Sequence, residues 1–118
     1  MNGADIKSQF KPLGEHDLEL AAGLDLYWRG ETYFLEKRIS DATIRGSELK
    51  ARCEGSAGGP YTVHATLSPA DEPESESLRS YSCDCPRDGF CKHVVALLLT
   101  WMNTPERFNV ESEAGAAV

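Results

Sequence analysis

Long apolar runs are missing from this sequence, and no stretch approaches the roughly 20 residues that a membrane-crossing helix needs. The first ten residues, MNGADIKSQF, have neither a basic start nor an apolar stretch, so they do not read as a secretory signal. Positive charge is scarce: 12 Lys and Arg stand against 19 Asp and Glu, a formal net charge of −7. That is the opposite of the basic surplus by which phosphate-binding proteins gain most of their affinity. Aromatic residues make up only 8%, and there are just four cysteines and three histidines. So few cysteines exclude a disulfide-dense secreted scaffold. What remains is an ordinary composition, 41% hydrophobic and 26% charged over 118 residues. It implies one domain with enough chain to bury a core, and a reducing location, for which the cytoplasm is the expectation.

Against that poverty, residues 83–93 read CDCPRDGFCKH and gather three of the four cysteines with one of the three histidines. The spacing is C-x-C-x5-C-x-H. Zinc asks for about four soft or borderline donors arranged tetrahedrally. Cys83 and Cys85, two apart at the end of a strand-like run, can emerge on one face and converge on an ion. Pro86 fixes a backbone angle after them, and Gly89 permits the reversal of direction. Cys91 and His93 are also two apart, a spacing that does not share a helix face. Cys91 is therefore expected just before a helix and His93 in its first turn. That helix N-terminus, with Lys92 nearby, favours thiolate sulfur. Four protein donors leave no coordination position open, so one structural zinc ion is expected. The alternatives are incidental cysteines or a Cys83–Cys91 disulfide, which a reducing location disfavours.

Around this cluster the hydrophobic period changes twice. Leu18, Ala21, Ala22 and Leu26 recur at helical spacing over Glu15–Tyr27, with Asp17 as a capping acceptor and Gly30 as a stop. Two-residue alternation follows: Tyr33, Leu35 and Ile39; Leu49, Ala51 and Cys53; Tyr61, Val63, Ala65 and Leu67. Turn-forming GS at 46–47 and GSAGGP at 55–60 predict an antiparallel meander. LRSYSC leads into the cluster, and KHVVALLLTWMN reads as an apolar helix after it. PADEPESES (69–77) reads as a loop, and Pro105 ends the last helix. The expected fold is α+β: an N-terminal helix, a small antiparallel sheet of three to four strands, a zinc-binding turn and a C-terminal helix packed on the sheet. Residues 1–14 read as a flexible leader, 15–104 as one domain with its finger core at 81–102, and 105–118 as a flexible tail.

The remaining chemistry-bearing residues are weaker signals. Cys53 falls on an apolar strand face and reads as a small buried hydrophobe. Trp28 and Trp101 lie in apolar helical stretches and read as core or core-edge residues. Asp84 and Asp88 read as a solvated turn. Residues 29–52 hold six Lys and Arg against four acids, so a local basic face is expected from Arg38, Lys50 and Arg52, with His64 beside them.

The stretch YSCDCPRDGFCKHVVALLL resembles the SWIM-type zinc finger family, bacterial members in particular, with Cys83, Cys85, Cys91 and His93 aligned on its four ligands. GSELKARCEGSAGGPYTVHATL is similar to the strand region before the finger. The resemblance implies a β-sheet element tied by zinc to a helix, and a role in DNA binding or protein interaction. No ATPase or transposase segment accompanies it. A zinc-binding interaction module serving nucleic-acid-linked machinery is therefore expected, with weak DNA binding through Arg38, Lys50, Arg52 and Lys92. The alternative is a protein–protein adaptor without nucleic-acid contact, which the acidic balance favours. The partner is thus DNA or a protein of DNA-linked machinery, with no membrane and no small-molecule substrate. No nucleophile–base pair or paired carboxylates point to an enzyme.

Overall fold

The computed structural model of the protein describes residues 2–55, 60–71, 77–85 and 90–111. It is an α+β fold. In chain order the helices are α1 (Gly3–Ile6), α2 (Glu15–Ala22), α3 (Leu24–Leu35) and α4 (Lys92–Asn103). The strands are β1 (Ile39–Arg45), β2 (Glu48–Cys53), β3 (Tyr61–Leu67), β4 (Leu78–Cys83) and β5 (Asn109–Glu111).

The meander is as expected. β1 through β4 pair antiparallel in sequence order, with the predicted alternation. Leu49, Ala51 and Cys53 of β2 and Val63, Ala65 and Leu67 of β3 are buried, while Glu48, Lys50 and Arg52 face outward. A fifth strand then joins: β5 lies parallel to β1, Ile44 opposite Val110, so the sheet is mixed and larger than the three to four strands expected. Three residues are too few for a two-residue period to show.

Helix α4 occupies the middle of the molecule, between the inner face of the sheet and α3. Its residues His93 through Trp101 are all buried. A helix apolar on every side needs packing on every side, and the sheet alone covers one. The N-terminal helices supply the other, and they differ from the single helix expected. At Gly23 the backbone takes φ 83, a left-handed conformation that favours glycine, and divides α2 from α3. The capping reading of Asp17 holds, since Gly14 N–H donates to its Oδ2 at 2.9 Å.

Gly30 does not end the helix. It is buried inside α3, and a Cβ there would overlap Val95 Cβ and Cγ1 on α4. The glycine serves close helix approach, so the helix continues to Leu35. Tyr33 and Leu35 therefore do not belong to a strand. Tyr33 is buried and Leu35 is exposed, and β1 begins only at Ile39 after a turn with Lys37 at φ 57.

Both ends of the described chain are docked, where a leader and a tail were expected. Gly3 N–H donates to Phe108 O at 2.7 Å, and Phe10 and Phe108 each meet Trp101 edge-on. These short pieces have no period of their own and fold against the far end of α4. Residues 112–118 lie outside the described part of the tail, as do 72–76 of the acidic loop. Among the described residues, no helix is long and apolar enough to cross a membrane.

Candidate metal centre

The end of β4 and the start of α4 converge on one small volume. Asp84 fastens the chain just past β4: Thr62 N–H donates to Asp84 Oδ1 at 2.8 Å, and Asp84 N–H to Thr62 O at 3.3 Å. This holds the chain against β3 as it carries Cys85 toward Cys83. Cys91 is the N-cap of α4 in extended conformation (φ −134, ψ 169), and His93 lies in the first turn, both as the spacing required. Pro86 and Gly89 lie outside the described residues.

The four donor atoms of Cys83, Cys85, Cys91 and His93 all fall within 4.8 Å of one another. His93 Nδ1 is 3.6 Å from Cys83 Sγ and 3.7 Å from Cys91 Sγ. A tetrahedral zinc with its usual bond lengths sets sulfur and nitrogen donors about 3.6 Å apart. The donor set therefore fits zinc in type, number and spacing, and all four cysteines are free thiols. The Cys83–Cys91 disulfide is not formed.

His93 is oriented by rings. Its imidazole lies 4.9 Å from the Tyr61 ring and 5.6 Å from the Tyr33 ring, centroid to centroid. Its Nε2 is buried without a hydrogen-bond partner among the described residues. Zinc-binding histidines commonly donate that second N–H to a carboxylate or carbonyl. Here the packing of two tyrosines fixes the ring instead. Neither tyrosine is legible in the sequence as part of the site, because each falls in a strand-like alternation of apolar residues.

Burial dominates the electrostatics of the polypeptide alone. It pushes the Cys83 and Cys91 thiols up, while the N–H groups of Val94 and His93 pull Cys91 the other way. Burial, then Lys92, lowers His93. Burial thus favours the neutral forms of Cys83, Cys91 and His93, and a metal binds by displacing thiol protons. Four protein donors complete the tetrahedral set that a structural zinc ion takes, and an ion held there would tie the β4 end to α4. Cys53 stays outside this set as a buried thiol pushed up to about 12, chiefly by burial.

The basic residues separate into two pairs. Lys50 and Arg52 lie on the outer sheet face, opposite His64 and Thr62 of β3, as expected. Arg38 and Lys92 instead each lie against the Tyr33 ring, at 4.4 and 5.0 Å from its centroid. Arg38 also donates from Nε to Glu36 Oε1 at 2.6 Å, so it does not join the sheet row. Trp101 is buried as expected, whereas Trp28 is 60% exposed.

A closed Cys3His centre between a strand end and a helix N-terminus defines a structural zinc finger. Residues 61–102 match the family model of the SWIM zinc finger, and the four ligands fit its C-x-C-x5-C-x-H pattern, so this part of the chain is a SWIM zinc finger. No curated protein and no solved structure matches the chain.

Proposed function

We propose that the protein is a zinc-stabilised binding module that contacts nucleic-acid phosphates through the outer face of its sheet. The observation that carries this reading is the row of Lys50 and Arg52 on β2, with Arg45 on the neighbouring strand. Hydroxyls of Thr62, Thr66 and Ser82 accompany the row across β3 and β4. Cations with hydroxyl donors on an open strand surface suit phosphate oxygens and carry no base readout. Glu48 shares the face and lies 3.7 Å from His64 Nδ1, which keeps the interaction weak. In this reading the module is not an enzyme and works in the cytoplasm, where its thiols stay available to the metal.

The test is fluorescence anisotropy of labelled duplex and single-stranded DNA with zinc-loaded protein. Three phosphate contacts give a log–log salt slope near −2.7, or roughly 40-fold weakening between about 50 and about 200 mM salt. The double variant Lys50→Glu, Arg52→Glu should lose binding while keeping its zinc, because both side chains are exposed. Absence of binding even at low salt would refute the proposal.

A further inference from the structure

We propose that the outer face of α3 is a docking strip for a cationic amphipathic helix of another protein. Leu24, Trp28 and Leu35 are 53%, 60% and 68% exposed. On α3 the steps of four and seven residues place the three side chains in one line along the helix. The opposite side of the same helix, with Tyr27, Gly30 and Tyr33, is buried. Single exposed apolar residues are ordinary on a protein surface, but a tryptophan in line with leucines is the pattern of a binding strip.

Charge identifies the occupant. Over residues 15–38 six carboxylates (Glu15, Asp17, Glu19, Asp25, Glu31 and Glu36) stand against Arg29, Lys37 and Arg38, a net of −3, and Arg38 is held by Glu36 at 2.6 Å. Arg29 is itself held 3.3 Å from Asp25. A second copy of this chain would bring two acidic helix pairs together, and anionic headgroups or phosphates would meet the same repulsion. A helix with apolar residues at i, i+3 or i+4, and i+7, flanked by Lys or Arg, satisfies both the stripe and its charge. This surface lies on α3, apart from the proposed phosphate-binding sheet face, and does not depend on it.

Trp28 supplies the probe, because Trp101 is only 3% exposed. Zinc-loaded protein is titrated with a Lys/Leu amphipathic peptide of about four helical turns, and with a Glu/Leu peptide of the same apolar face. The expected result is a saturable blue shift of tryptophan emission with the cationic peptide. Leu24→Glu should weaken this binding at least about tenfold. Glu31→Lys should move the preference toward the anionic peptide, a reversal that unspecific adhesion would not produce. Zinc content serves as the folding control for both variants. Equal binding of the two peptides, or no saturable shift, would overturn the proposal. So would a concentration-dependent shift without peptide, accompanied by a doubled mass in sedimentation, since the occupant would then be a second copy.

Discussion

Replacing Gly30 with alanine pits local propensity against tertiary packing, and the structure decides the sign. Considered as a helix position alone, Gly→Ala should stabilise by about 1 kcal/mol. The new Cβ, however, would overlap Val95 Cβ and Cγ1 and approach the Lys92 carbonyl oxygen to 2.9 Å. Relieving such overlap requires α3 and α4 to separate by on the order of 1 Å, because carbon atoms pack at roughly 3.5–4.0 Å. Overpacking a close-fitted core costs about 1–3 kcal/mol, and a backbone neighbour that cannot swing aside puts this site at about 3. The net is about 2 kcal/mol of destabilisation, a fall in Tm of about 8 °C for a chain of this size. Thermal unfolding followed by circular dichroism reads it directly. Lys92 immediately precedes His93, so displacement at this point also disturbs a zinc ligand, and zinc affinity should weaken by about tenfold. Thr32→Ala, on the exposed side of the same helix, should be neutral or slightly stabilising. A Gly30→Ala protein as stable as the parent would refute the close approach of α3 to α4.

Removing the metal should separate the two sources of stability. Chelation, or Cys85→Ser, should lower Tm by more than about 10 °C, yet leave most far-ultraviolet helical signal, because the apolar packing of α4 against α3 and the sheet extends well beyond the four ligands; zinc content and thermal scans check both. The pH dependence on the alkaline side should disappear with metal loading. In the stripped protein, thiols raised by burial contribute stability below the ordinary thiol value of 9.0 that is lost as pH rises through their folded values. His93 is lowered, so its contribution is present above 6.5 and is lost as pH falls through its folded value. The zinc-loaded protein must keep its thiolates, so it should lose metal and stability on the acid side and hold on the alkaline side. Melting curves across pH with and without zinc would refute this if the two profiles coincided.

The parts of this fold legible in the sequence are those that need only nearby residues. Cys91 before a helix and His93 inside its first turn follow from a spacing of two and the geometry of one turn. The meander follows from alternation, which survives because β2 and β3 each have one buried and one open face. The errors fall where a remote partner overrides the local signal. Gly30 has the form of a helix stop and serves as a contact with Val95. Tyr33 and Leu35 mimic a strand stripe, but they lie on opposite sides of α3. Phe10 and Phe108, in segments read as leader and tail, are held by Trp101, on the far side of the helix that the zinc site begins.

These misreadings share one cause, which bears on what the zinc is for. Helix α4 is too apolar to be satisfied by the sheet, so α3, Phe10 and Phe108 close around it, and its N-terminus is the only end fixed by metal. Zinc at Cys83, Cys85, Cys91 and His93 therefore sets where α4 starts relative to β4. Through Tyr33 and Tyr61 on His93, that position is passed to α3 on one side and to β3 on the other. The proposed phosphate-binding face and the proposed docking strip lie on those two layers. Tyr33→Leu, which removes one of the rings holding His93 while keeping an apolar side chain, should therefore weaken zinc binding and loosen α3 together. Zinc titration and hydrogen exchange of the α3 amides would measure both. Loss of zinc affinity with α3 exchange unchanged would show that the metal orders only its own turn.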